Sequence, residues 1–307
     1  MGRTAIVFSG QGAQHPGMGQ DLYDNFKCAK KLFDYAETVR PGTKEQCFAG
    51  TDEELKKTEN TQPCLYLVDL AAAMALSSLG VRADGCAGFS LGEIAALAFS
   101  GAYSPEAGFN LVTERARLMQ SASLEAETAM AAILKTDAGT VTSLCETLRG
   151  EGDEVYPVNF NSPAQTVIAG TVEAIAHFTE RAKEVGARAI PLKVSAAFHS
   201  PFMDGAAHEF ESEIKKLSLK KPEIPVYANY TAKPYNDLEK TLMMQMNHPV
   251  KWCETVENMI ADGFDTFIEA GAGTVLSGLI KKIAPEANVY NAETADEVKK
   301  VAEAVLK

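Results

Sequence analysis

Gly88-Phe89-Ser90-Leu91-Gly92 stands between a short apolar stretch, Gly85 to Gly88, and the apolar run Leu91 to Phe99. A buried strand that turns sharply into a buried helix leaves few folds open, because the strand needs partners at its edges and helices on its faces. The glycines have a mechanical role. The serine sits on a tight, strained corner, and side chains at the flanking positions would collide with the neighbouring strand and helix. A G-x-S-x-G pentapeptide arises by chance in roughly one chain in ten of this size. Its weight therefore comes from the strand-to-helix setting.

The same strand, turn and helix rhythm opens the chain. Thr4 to Phe8 reads as a buried strand, the Gly-rich loop Ser9 to Gly19 follows, and a helix runs from about Asp21 to Val39. Helical periodicity returns from Gln62 to Leu79, and Thr266 to Glu269 is a strand ending in the Gly271-Ala272-Gly273 turn. Such alternation predicts a mostly parallel sheet. Between about Thr128 and Val194 the order is different: strand, helix, two strands around Asn161-Ser162-Pro163, helix, strand. That βαββαβ order is the ferredoxin-like pattern. The expected fold is thus α/β, with a large domain at 1–127 and 195–307 interrupted by a small domain at 128–194.

Composition excludes several function classes. Lys and Arg total 29 against 41 Asp and Glu, a net charge of -12, which disfavours broad attraction to nucleic acid or anionic lipid. The six cysteines form no C-x-x-C pair and no Cys/His cluster at zinc spacing, so neither a disulfide framework nor a metal site is expected. The opening apolar run is too short for a signal peptide, and no segment has the uninterrupted apolar length of a membrane span. A cytoplasmic protein with reduced thiols is the expectation.

A serine hydroxyl needs a base to take its proton. Of five histidines, His177 and His208 fall in solvated settings and His15 and His248 in loops, whereas His199 follows a strand among small and apolar residues. His199 leads on position, with a core histidine satisfied by backbone as the alternative. On the helix Glu106 to Gln120, Arg115 shares a face with Leu111, Leu118 and Met119. A buried guanidinium must be paired, either with a structural carboxylate or with the carboxylate of a bound substrate. Gly10-Gln11-Gly12 does not continue into a dinucleotide motif, because His15 occupies the position of its last glycine. Gln11, presented by a Gly-rich turn at the end of the first strand, could instead donate to an oxyanion beside the N–H that follows Ser90.

Six stretches then stand in a telling order. Phe8-Ser9-Gly10-Gln11-Gly12-Ala13-Gln14, Gly88 through Glu93, Arg115 with Met119-Gln120, Asn159 through Pro163, Ala197-Phe198-His199-Ser200, and Gln245 through Trp252 together resemble the malonyl-CoA:acyl carrier protein transacylase family. The resemblance spans nearly the whole chain. It implies a Ser90 nucleophile, His199 as general base, and Gln245 holding the imidazole through its backbone carbonyl. It further implies an oxyanion hole of Gln11 and the Leu91 N–H, and Arg115 as the grip on the malonyl carboxylate. The implied substrates are malonyl-CoA and an acyl carrier protein, with no cofactor; fatty acid and polyketide synthesis both remain open, a chain without fused synthase modules leaning to the first, and a monomer is the expectation.

One position departs from the family: Phe89 stands where a histidine is usual, which leaves Arg115 as the sole obvious anchor for the substrate carboxylate. Phe198 resembles the phenylalanine of malonyl-selecting domains, whose ring would crowd an α-methyl branch. A serine esterase would share G-x-S-x-G but would normally place Asp or Glu on the histidine. A scaffold protein would keep the fold and lose the dyad. Because carrier proteins of this kind are acidic, docking is expected at a local cluster of positive charge near the mouth of the site, with Arg188, Lys193, Lys281 and Lys282 as candidates.

Overall fold

The computed structural model describes residues 2–192 and 196–306. In chain order its strands are β1 (Arg3–Phe8), β2 (Gly85–Gly88), β3 (Thr128–Leu134), β4 (Val155–Ser162), β5 (Gln165–Thr171), β6 (Arg188–Pro191), β7 (Val226–Tyr227), β8 (Phe264–Ala270) and β9 (Asn288–Ala292). Five form one sheet in the order β7-β2-β1-β8-β9, with every pairing parallel. The central strand β1 buries Ala5, Ile6, Val7 and Phe8 completely. Ile6 and Phe8 join the core on one face of the sheet, Ala5 and Val7 the core on the other. This is why the strand reads as a continuous apolar run.

The helix Thr58–Ser78 lies in the larger core and is buried nearly all round. It starts four residues earlier than the periodicity suggests and carries Pro63 inside. Proline cannot donate to the Glu59 carbonyl one turn back. Arg40 Nη2 approaches that oxygen at 3.4 Å instead. The helix expected over Asp21 to Val39 is two helices, Gln20–Asn25 and Lys27–Val39, broken where Phe26 adopts an extended backbone. Strands β7 and β9 escape sequence reading: the first has two residues, and the second, Asn288-Val289-Tyr290-Asn291-Ala292, has no apolar run.

The other four strands form an antiparallel sheet in the order β4-β5-β3-β6, the arrangement expected of βαββαβ. Helices Ala138–Glu151 and Val172–Ala182 cover one face, where Val141, Cys145, Leu148 and Phe178 pack on Ala131, Ile133 and Ile168. Met130, Ala132, Val158 and Val167 join the core of the parallel sheet. The small sheet thus presents one face to its own helices and another to the large core. The last residues expected in its closing strand, Lys193 and Val194, lie outside the described residues, as does Ser195.

Candidate active site

Strands β1 and β2 end side by side, Phe8 opposite Gly88, and the chain turns there into the helix Gly92–Phe99. The turn needs both glycines. A Cβ on Gly88 would lie 2.0 Å from the Gly92 carbonyl carbon, and one on Gly92 would lie 2.3 Å from the Phe8 oxygen. Ser90 takes φ +54°, a left-handed conformation that costs a non-glycine residue energy and persists only when its surroundings hold it. What holds it is Asn229, just past the end of β7. Asn229 Oδ1 accepts the Ser90 N–H at 2.7 Å and its Nδ2 donates to the Gly88 carbonyl. Glu93, fully buried, accepts the Asn229 N–H at 2.9 Å and the Tyr235 hydroxyl. Burial raises the Glu93 carboxyl to about 7, against the pull of these donors.

His199 meets the serine. Its Nε2 lies 2.7 Å from Ser90 Oγ, and its Nδ1 faces the carbonyl oxygens of Gln245 at 3.1 Å and His248 at 3.2 Å. Two acceptors at Nδ1 place the proton there, so Nε2 is left to accept from the serine hydroxyl. Burial, and after it the charge of Arg115, pushes the imidazole down to about 3. It is therefore uncharged at neutral pH, and two backbone carbonyls stand where an esterase triad places a carboxylate. His199 also sits at φ +59°. The segment is tied to the start of β3 by the Ala197 N–H on Thr128 Oγ1 at 3.0 Å.

Arg115 is wholly buried on the helix Pro105–Ala122, as its face predicts. Its partners are neutral. Nη1 donates to Gln62 Oε1 at 2.7 Å, and Nη2 to Gln245 Oε1 at 2.9 Å and Ser90 Oγ at 3.2 Å. Nε is buried with no hydrogen-bond partner, and among the described residues no carboxylate comes within ion-pair distance. Burial lowers the guanidinium to about 10, so it remains charged at neutral pH. Gln245 contributes more than its backbone: the side-chain Nε2 donates to the Ser90 carbonyl at 2.7 Å while Oε1 holds Arg115.

Gln11 Nε2 lies 3.3 Å from Thr58 Oγ1. Its loop is pinned by Ser9 Oγ, which donates to the buried carboxyl of Asp69 at 3.0 Å. Leu91 opens the helix Gly92–Phe99 with its side chain buried. Gln11, Ser90, Phe198 and His199 share the lining of a cavity of about 90 Å³ with Asn159, Met130 and Leu192. At ~30 Å³ per water its volume is on the scale of a short acyl group. Phe89 lines it too, its ring edge-on to Trp252 at 5.7 Å.

The suggested docking residues stand apart from this lining. Arg188 is exposed at the start of β6, and Lys281 and Lys282 are exposed in the last turn of the helix Val275–Ile283. Lys281 Nζ donates to the Ala287 carbonyl at 2.6 Å, just before β9. Both lysines thus sit where the parallel strands begin, at the opposite end of the sheet from Ser90. Lys193 lies outside the described residues.

Sequence reading missed Asn229, Gln62, Glu93 and Tyr235. A signal existed for two of them. Asn229 follows the short apolar Pro225-Val226-Tyr227-Ala228, where a polar residue past a parallel strand's carboxyl end faces the ligand crevice. Gln62 is a buried amide in the first turns of a helix whose following turns are apolar except for Asp69. Among the described residues no group of three His, Cys, Asp or Glu could hold a metal, and no helix is long and apolar enough to cross a membrane.

The model of the acyl transferase domain matches residues 5–304. The chain is 40% identical over 288 residues to the malonyl CoA-acyl carrier protein transacylase of Bacillus subtilis, covering 92% of this chain and 91% of that one. The crystal structure of the Clostridium perfringens malonyl CoA-acyl carrier protein transacylase superposes with a TM-score of 0.95 at 37% identity, covering 99% and 97%. A malonyl-transacylase solved in complex with its type II PKS acyl-carrier protein gives 0.94 at 33%, covering 98% and 99%. A serine on a strained elbow, a neutral histidine without a carboxylate and likeness along almost the full length leave one assignment: the chain belongs to the malonyl-CoA:acyl carrier protein transacylase family of acyltransferases.

Proposed function

We propose that this enzyme moves a malonyl group from malonyl-CoA to the phosphopantetheine thiol of an acyl carrier protein through a malonyl ester on Ser90, supplying fatty acid synthesis. The observation that carries this is one oxygen with two neighbours: Ser90 Oγ stands 2.7 Å from His199 Nε2 and 3.2 Å from Arg115 Nη2. A base and a fixed cation at the same nucleophile suit an acyl group that ends in a carboxylate.

In the first half-reaction the Ser90 hydroxyl gives its proton to His199 Nε2 as Oγ bonds to the thioester carbon. The oxyanion takes hydrogen bonds from the Leu91 N–H and the second Nε2 hydrogen of Gln11. The Ser90 N–H is already committed to Asn229 and does not contribute. Collapse breaks the carbon–sulfur bond, and His199 returns its proton to the departing thiolate. The carrier thiol then reverses the sequence, losing its proton to His199 as it attacks the ester. Arg115 holds the malonyl carboxylate on its Nε and Nη2 edge, the edge with an unpartnered N–H. The steps use protein groups alone, in a monomeric, cytoplasmic enzyme without cofactor.

The large domain at 1–127 and 195–307 supplies the nucleophile, and the small domain at 128–194 supplies the facing wall. Phe198 crowds an α-methyl branch and favours malonyl over methylmalonyl. Of the four candidates, Arg188 and Lys193 are proposed to meet the acidic carrier, and Lys281 and Lys282, at the opposite end of the sheet from Ser90, are left out of that surface.

Intact-protein mass spectrometry after incubation with malonyl-CoA tests the assignment. A single malonyl adduct on Ser90, ping-pong kinetics and a folded, unlabelled Ser90→Ala are expected. An adduct mapped to another residue would overturn it.

A further inference from the structure

Arg115 has a second relation to Ser90 that recognition of a carboxylate does not require. The serine oxygen carries one hydrogen and two lone pairs. The hydrogen points to His199 Nε2, because Nδ1 is the protonated nitrogen facing the Gln245 and His248 carbonyls. A lone pair then accepts from Arg115 Nη2 at 3.2 Å. Attack on a thioester carbon needs a lone pair, and one engaged by a cation's N–H is less nucleophilic.

We propose that Arg115 restrains Ser90 until a carboxylate binds, so that an acyl group bearing one releases the nucleophile and selectivity acts on the acylation rate as well as on binding. The inference rests on the malonyl-transfer reading of the same site. Three observations carry it. The guanidinium is buried, its other acceptors are the neutral amides of Gln62 and Gln245, and its Nε has no partner. A carboxylate on the Nε and Nη2 edge is a stronger acceptor than a hydroxyl, and it draws the Nη2 hydrogen off Oγ. Gln245 Oε1 keeps the other Nη2 hydrogen, so the guanidinium stays in place while its bond to the serine is exchanged. Neutralising Arg115 also lifts its depressing effect on the proton affinity of His199. Nucleophile and base are thus improved by the same event, which an acetyl group cannot bring about.

The test separates the acyl group from its carboxylate. Acetyl-CoA supplies the thioester and sodium formate the detached carboxylate, at constant ionic strength held with sodium chloride. Acetyl-Ser90 is followed by rapid quench and intact mass at saturating acetyl-CoA. Formate is expected to raise the limiting acetylation rate of the wild type about tenfold, the scale of one charge-assisted hydrogen bond. Arg115→Ala, checked for folding by circular dichroism, is expected to acetylate faster than wild type without formate and to ignore added formate. A wild-type rate that stays flat or falls as formate rises overturns the proposal, whatever the variant does. If malonyl-CoA still labels Ser90 in that case, only the restraint fails. Absence of malonyl-Ser90 would instead remove the transferase reading beneath it.

Discussion

The two walls of the cavity at Ser90 are built on opposite principles. On the side of the parallel sheet the polar side chains are bonded to one another: Asn229 to the Ser90 amide, Gln245 to the Ser90 carbonyl and Arg115, and Gln62 to Arg115. The facing side, from the small sheet and the segment after it, offers Met130, Leu192 and Phe198, with Asn159, whose Oδ1 is buried without a partner. The first wall is bonded together before substrate arrives, except at Arg115 Nε, which has no partner. The second is completed by what enters. Changes to the first should therefore cost rate, with Arg115, whose open edge meets the acyl group, as the exception that also sets selectivity, and changes to the second should alter which acyl groups and carriers are accepted.

The sharpest way to break the comparison is Arg115→Ala. Malonyl transfer should fall on the order of a thousandfold in kcat/KM, because a buried carboxylate loses its only cation, whereas acetyl transfer should not fall. Steady-state assays with both thioesters decide it, and equal losses would make Arg115 structural. Phe198→Ala tests the opposite wall. The ratio of methylmalonyl to malonyl transfer should rise about tenfold, the scale of accommodating one extra methyl, and an unchanged ratio would move the selectivity elsewhere.

Farther out, Arg188→Glu should raise the carrier protein's KM about threefold at low salt, in keeping with an exposed charge, while acylation by malonyl-CoA stays as it is. Lys282→Glu, at the opposite end of the sheet, should leave that KM unchanged. A carrier KM indifferent to Arg188→Glu would exclude β6 from docking. The smallest effect is expected of Phe89→His, which restores the family's usual residue. The Phe89 ring lies edge-on to Trp252, and an imidazole is small enough to take its place there. The melting temperature should stay within about 3 °C of wild type or rise. A larger fall would show that the ring packing is specific to phenylalanine.

Much of this site is written in local sequence, because local backbone geometry demanded it. Gly88 and Gly92 are required by contacts of about 2 Å that no side chain survives, and Ser90 between them is the half-buried corner of that turn. The βαββαβ order followed from periodicity alone, and Arg115 declared itself by standing on an apolar helix face. The arginine's alternatives were different. A structural carboxylate was as acceptable to the sequence as a substrate's, and only the fold, by surrounding it with Gln62 and Gln245, left it with no carboxylate within ion-pair distance among the described residues, Glu93 acting on it only from farther off. Asn229 lies 139 residues from Ser90, past a strand of two residues. No local period reports a contact of that span. The tautomer of His199 was likewise a tertiary decision, made by two carbonyls 46 and 49 residues away. Sequence determines what a turn, strand or helix face must be, since those depend on neighbours along the chain. Which polar groups satisfy one another depends on where the packed core brings distant segments together, and that is settled only in three dimensions.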